Sequence, residues 1–216
     1  KEEDFNITVN ENGKKTYELK PGVPKFKDGC QPGDPKYKNV DGSEDNLITD
    51  NDRTVIGNVH PLHTGGFTNN FVYKNWDLNI FLQWSYGNDI FNVNRLVMEN
   101  PGAKKQLNQF ASYKNRWSES NPTSNIPRVR AVGADEYSSL YVEDGSFLKL
   151  KTISLGYNFD AKTLKRIGIS AARVFVSAEN IATITGYSGS DPEVSTRHSV
   201  LTPGFDWSAY PRALTF

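Results

Sequence analysis

The acidic stretch Asp41-Gly42-Ser43-Glu44-Asp45-Asn46-Leu47-Ile48-Thr49-Asp50-Asn51-Asp52 sets oxygen-bearing residues at alternating positions. Calcium takes about six to eight oxygens, and alternate residues of a tight loop can converge on one centre. Asp41, Ser43 and Asp45 would offer side chains, Leu47 its carbonyl, Thr49 or Asp50 a further oxygen, and Asp52 the closing carboxylate. Asn46 stands where such loops usually carry glycine, and asparagine tolerates the left-handed turn better than most residues. The competing reading is a solvated acidic turn. His60, His63 and His198 are the only histidines, and His60 and His63 have no acid or thiol beside them, which favours a loop role over metal ligation. Asp191-Pro192-Glu193 pairs two acids as glycoside hydrolysis does, but two acids in one turn read as structural. A glycine-rich phosphate loop, a nucleophile elbow and a His-Glu-x-x-His helix are all missing, so no catalytic site is expected. Cys30, the single cysteine, reads as a loop thiol. Tyr137, Tyr141, Phe147, Tyr187, Phe205, Trp207 and Tyr210 could stack on sugars, although loop packing or an interfacial girdle suits them better.

These residues need a frame. The chain has 216 residues, with 25 basic and 25 acidic side chains. That zero net charge gives no basic excess for a nucleic-acid partner. Only 37% of residues are hydrophobic while 12% are aromatic, a profile of β-rich proteins and of membrane barrels with aromatic girdles. No apolar run approaches the ~20 residues of a spanning helix. The charged opening Lys1-Glu2-Glu3-Asp4 is no signal peptide, which implies either a cytoplasmic chain or a fragment of an exported one.

Residues 1–64 are rich in glycine and proline and read as a loop-rich segment with a short strand at 16–19. From 65 to 216 the pattern is one of strands. Phe67, Asn69, Phe71 and Tyr73, a turn at Lys74-Asn75, then Trp76, Leu78, Ile80, Leu82, Trp84 and Tyr86 alternate with mostly polar neighbours and predict a hairpin. Its strands have the ~9–11 residues that cross a bilayer at a tilt. Residues 88–145 form a long excursion, with two short helices expected within 88–118. Further strands are expected at 147–159 and 172–184, joined by a turn or one helical turn at 161–167, and another begins at 212–216. Lys149 and Lys151 suggest that their end of the strand emerges from an apolar layer.

Several segments together resemble the SusC/RagA-type TonB-dependent outer-membrane transporters of Bacteroidetes. They are Gly33-Asp34-Pro35-Lys36-Tyr37-Lys38, Asp50-Asn51-Asp52-Arg53-Thr54-Val55-Ile56-Gly57-Asn58, Tyr73-Lys74-Asn75-Trp76-Asp77-Leu78 and Gln83-Trp84-Ser85-Tyr86-Gly87-Asn88-Asp89-Ile90-Phe91-Asn92. Val142-Glu143-Asp144-Gly145-Ser146-Phe147-Leu148-Lys149-Leu150-Lys151, Ala172-Arg173-Val174-Phe175-Val176-Ser177-Ala178-Glu179-Asn180 and Tyr187-Ser188-Gly189-Ser190-Asp191-Pro192-Glu193 continue the match. Pro35 and a longer acidic loop depart from the family pattern, and residues 1–32 match only loosely.

The resemblance implies an all-β fold, an antiparallel transmembrane β-barrel of roughly 22 strands around a plugged lumen. This chain would supply the C-terminal strands, completed by sequence outside it, because an open edge in lipid leaves backbone groups unpaired. The resemblance also implies an outer-membrane importer of oligosaccharides or peptides, not an enzyme. It would work with a SusD-like surface lipoprotein and with TonB through an upstream segment, with outer-membrane lipid around it and Ca2+ as a structural ion in the acidic loop. The rival is a soluble, calcium-stabilised β domain that binds glycans. The two differ in where Leu78, Ile80, Leu82, Ile153 and Leu155 face: lipid in the first, a core in the second.

Overall fold

The computed structural model describes residues 1–100, 108–193 and 204–206. Strands dominate: β1 (Phe5–Val9), β2 (Lys15–Leu19), β3 (His63–Tyr73), β4 (Trp76–Tyr86), β5 (Asp89–Asn92), β6 (Val142–Asp144), β7 (Phe147–Asn158), β8 (Arg173–Thr185) and β9 (Phe205–Asp206). Among the described residues helix is confined to α1 (Val93–Met98), α2 (Ala161–Lys165) and short 3-10 turns. The chain clusters into two units, Lys1–Ile56 with Asn92–Tyr141, and Gly57–Phe91 with Val142–Phe216. Residues 92–141, the middle of the excursion, thus group with the N-terminal segment.

In the first unit β1 and β2 form a hairpin from Phe5↔Leu19 to Val9↔Lys15. Polar clamps and aromatic contacts hold the loops around it. Asp34 accepts from the backbone N–H of Gln31 (2.8 Å) and Val132 (3.1 Å) and pairs with Arg128 at 2.6 Å. The Phe26 and Tyr37 rings pack at a tilt with centroids 4.9 Å apart, and the Tyr37 hydroxyl donates to the Gly133 carbonyl at 2.6 Å. Burial, reinforced by Glu136 and Asp135, pushes that hydroxyl's pKa up to about 12. Gly33, at φ +90, lies against the Trp117 indole, where a Cβ would come within 2.5 Å of the ring. Asn92 caps α1 by accepting from the Arg95 N–H at 3.1 Å, and Arg95 pairs with Glu99 one turn on at 3.0 Å.

The second unit is built on a four-stranded antiparallel sheet in the order β3-β4-β7-β8. The expected hairpin is present, in register from His63↔Tyr86 to Tyr73↔Trp76, with Lys74 in the left-handed region at φ 54. A smaller sheet in the order β6-β5-β9 joins it.

One expectation is corrected here. Ile90 and Phe91 lie in β5, opposite Glu143 and Val142, rather than in a helix. A short apolar run fits either element, and pairing with a distant segment decided it. The first expected helix begins only at Val93, and the second is a 3-10 turn at Ala111–Asn115. Residues 101–107, within that second helical expectation, and the strand expected at 212–216 lie outside the described residues.

Candidate functional site

The two faces of the four-stranded sheet differ in chemistry. On one face the register sets Phe67, Leu82 and Leu150 in a row, then Asn69, Ile80, Ile153 and Ala178, then Phe71, Leu78, Leu155 and Val176. Tyr73, Trp76, Tyr157 and Val174 close that face at the hairpin end. Among the described residues no second layer covers it: Phe67 is 52% exposed, Phe71 54% and Val176 65%. Leu78, Ile80, Leu82 and Ile153 are half-buried among their neighbours and Leu155 is exposed, so none enters a core. Rings gather at both ends. Trp76 and Tyr157 lie 4.8 Å apart at one, and His63 stacks on Tyr86 at 5.2 Å at the other.

The opposite face is mostly polar, with Val72, Phe81 and Phe175 among its residues. Asn79 donates to Asn70 at 2.5 Å, and Asp77 accepts from Asn158 at 3.0 Å and from Arg173 at 2.5 Å. Nearer the excursion, Lys149 is 1% exposed, and its Nζ donates to Asp191 Oδ1 at 3.0 Å and to Glu193 Oε2. Lys151 reaches the same Glu193 at 2.9 Å. Burial draws the Glu193 pKa up, but the hydrogen bonds from both lysines outweigh it and hold the carboxyl below its usual range. Lys149 is buried under the turn 191–193 on the polar face.

A bulge interrupts the ladder at Lys151. Phe81 opposes Thr152 while Leu82 opposes Leu150, which leaves Lys151 unopposed on β4. Beside it β8 adds Asn180, left-handed at φ 53, and Ile181. Such insertions bend the strand and increase its twist, as a curved wall requires. Strands of 11, 11, 12 and 13 residues rise about 3.3 Å per residue. At a tilt of about 45°, that length matches the ~25 Å apolar band of outer-membrane barrels.

The chain is 37% identical over 190 residues, 86% of its length, to TonB-dependent receptor P3 of Formosa agariphila. It is 30% identical over 156 residues, 70% of its length, to TonB-dependent receptor SusC of Bacteroides thetaiotaomicron. The chain belongs to the SusC/RagA-type TonB-dependent receptors. It spans only 18% and 14% of those relatives' lengths. No family model matches it. A structure of the RagAB peptide transporter aligns over 72% of this chain and 16% of its own, at TM-score 0.59 and 29% identity. The RagAB peptide importer in its closed-closed state aligns over 96% of this chain and 19% of its own, at TM-score 0.62 and 24% identity, a likeness of fold. The fold of this SusC/RagA-type chain is a partial antiparallel barrel wall.

In this receptor segment the acidic loop is organised by Asp52, which is 8% exposed. Its carboxylate accepts from the N–H groups of Val40 (2.7 Å), Asp41 (3.2 Å) and Thr49 (2.8 Å). Those bonds, Thr49's the strongest, hold the Asp52 pKa below the usual carboxylate range. Asp41 and Asp45 each accept from the N–H two residues on, Ser43 at 2.9 Å and Leu47 at 3.0 Å. The Ser43 Oγ is shielded and has no hydrogen-bond partner among the described residues. The Lys25 carbonyl accepts from Ile48 N–H at 2.9 Å, pinning the loop's far side. Among the described residues, no three His, Cys, Asp or Glu side chains come together as a metal site would need.

Asn39 was not among the candidates, yet it accepts from Gly42 N–H and donates to the Ser43 carbonyl, each at 2.8 Å. Its position just before Asp41 was the available signal. His63 accepts from the Trp84 indole N–H at 3.2 Å, and His60 stays in a loop, so the two do not converge. Tyr141, Phe147 and Tyr187 are buried, Phe205 stacks on Phe91 at 5.9 Å, and only Tyr137 of the described aromatic set is exposed. Cys30 Sγ donates to the Lys27 carbonyl at 3.0 Å. His198, Trp207 and Tyr210 lie outside the described residues.

Proposed function

We propose that this chain is the C-terminal barrel portion of an outer-membrane importer that takes up oligosaccharides or peptides. It works with a SusD-like surface lipoprotein and draws on TonB through an upstream segment. Its own contribution is wall: a lipid face, a polar lumen face and the base of external loops. The observation that carries this reading is the sheet with one uncovered apolar face and one hydrogen-bonded polar face. A glycan-binding soluble domain would have to bury Leu78, Ile80, Leu82, Ile153 and Leu155, and none of them is buried. Short turns of such barrels face the periplasm and long loops the exterior, so Lys74-Asn75 marks the periplasmic end and residues 87–146 the external one. The test uses the full-length receptor in a cysteine-free background that includes Cys30→Ser, with single cysteines at Ile80, Ile153 or Val176 and at Asn79 or Ser154. A lipid-soluble thiol reagent should label the first group and a water-soluble one the second. Equal labelling of both groups by the aqueous reagent would overturn the reading.

The acidic loop is the proposed structural Ca2+ site, with Asp41, Ser43, Asp45, the Leu47 carbonyl and Asp52 as ligands. The unpartnered Ser43 Oγ supports it, whereas Asp52 is already engaged by backbone N–H groups. Calcium titration of the receptor and its Asp41→Ala variant decides: unchanged affinity removes the site.

A further inference from the structure

The connection between β7 and β8 has a surface that no role in the wall requires. Asp160 N-caps α2 in sequence position, and Lys162, Lys165 and Arg166 follow at spacings that share one side of the helical turn. All three are exposed, and among the described residues none has a carboxylate partner. Leu164 alone turns inward, at 5% exposure. Directly after the cations come Ile167, 68% exposed, and Ile169, 43% exposed, on a turn closed by Gly168 at φ +74.

Isolated exposed isoleucines are ordinary on a protein surface. These continue a belt. Trp76 meets Tyr157 at 4.8 Å, Tyr157 meets Phe159 at 5.1 Å, and Phe159 leads into α2 while remaining exposed. On the neighbouring hairpin turn, Lys74 Nζ lies 5.3 Å above the Tyr73 ring. The acids at this end are engaged elsewhere. Asp77 holds Arg173 and Asn158, and Asp160 accepts from Asn75 at 2.9 Å. Unpaired cations thus stand level with an aromatic girdle, the depth at which rings meet lipid headgroups and basic side chains meet their phosphates.

We propose that this connection binds anionic glycerophospholipids in the leaflet at the turn end of the barrel. Lys162, Lys165, Arg166 and Lys74 take the phosphates, and Phe159, Ile167 and Ile169 enter the acyl boundary. The proposal rests on the barrel reading above. It is tested by reconstituting the full-length receptor in nanodiscs of phosphatidylcholine with equal minorities of phosphatidylglycerol and lipid A, then counting retained lipids by native mass spectrometry. The triple variant Lys162→Gln, Lys165→Gln, Arg166→Gln should retain at least about tenfold less phosphatidylglycerol than the parent, with heat-modifiable gel mobility unchanged. The variant Ile167→Ser, Ile169→Ser should keep the headgroup preference but hold the lipid less long. Equal phosphatidylglycerol retention in parent and triple variant overturns the proposal, as does a parental preference for lipid A, which would put this end in the other leaflet. Loss of a co-purifying polypeptide with lipid retention unchanged would give the surface to a protein partner and also overturn it. A parent that fails to insert at all overturns the barrel reading, and this one with it.

Discussion

Lys149 shows how one buried charge can organise a loop. Its ammonium is nearly inaccessible, and both acids of the turn 191–193 converge on it. Removing one partner of a buried pair leaves the others uncompensated, at about 3–5 kcal/mol. Asp191 and Glu193 keep some solvent contact, so Lys149→Met should cost near the low end, about 3 kcal/mol. Urea unfolding of the full-length receptor in detergent measures this. The depressed Glu193 pKa fixes a sign for pH. A carboxylate that ionises more easily when folded stabilises above its unfolded pKa of about 4.3, and that stability is lost as pH falls through the lower folded value. The urea midpoint should therefore fall on going below about pH 4, and less steeply in Glu193→Gln. Asp52→Asn tests the other polar organiser. An amide cannot accept on both sides, so one or two of the N–H groups of Val40, Asp41 and Thr49 lose their acceptor. About 1–3 kcal/mol of local stability should go, read as faster hydrogen exchange at those amides.

At the scale of elements, the bulge was written in the chain. In Leu150-Lys151-Thr152-Ile153 two polar residues interrupt strict alternation, and strand period two does not allow that without an extra residue. The structure puts the slip there, with Asn180 left-handed on the neighbouring strand. Asn180→Val should cost about 1–2 kcal/mol and Asn180→Gly close to nothing, because only the first forces a branched Cβ into the left-handed region. Thermal unfolding of the two variants side by side checks the order. Gly65 serves a different purpose: the Trp84 ring covers it, and an added Cβ would lie 2.2 Å from the ring. Gly65→Val should displace the indole and break its hydrogen bond to His63, seen as a shift in tryptophan emission. The strands β3, β4, β7 and β8 were legible because long alternation is a strong signal. β5 was not, because its few apolar residues acquire strand geometry only by pairing with β6.

For the whole molecule, the decisive question is which environment the apolar face meets. An arginine at the bilayer midplane of a barrel costs about 2–4 kcal/mol on the lipid side and far less on the lumen side. Ile80→Arg in the full-length receptor should therefore impair folding into vesicles by that amount, while the adjacent Asn79→Arg should fold nearly as the parent does. Equal penalties would mean that the two faces see the same medium. The residue types and their alternation by themselves determined the strands, the hairpin turn and the family likeness, since period two and local order are properties of a linear chain. The acidic loop was visible as a feature, but its closure by Asp52 and Asn39 was not, because hydrogen-bond donors are assigned only once the loop has folded. Tertiary structure alone decided that Lys149 meets Asp191 and Glu193 and that 92–141 groups with 1–56. Those contacts join residues far apart in sequence, and only strand register and loop closure bring them within reach.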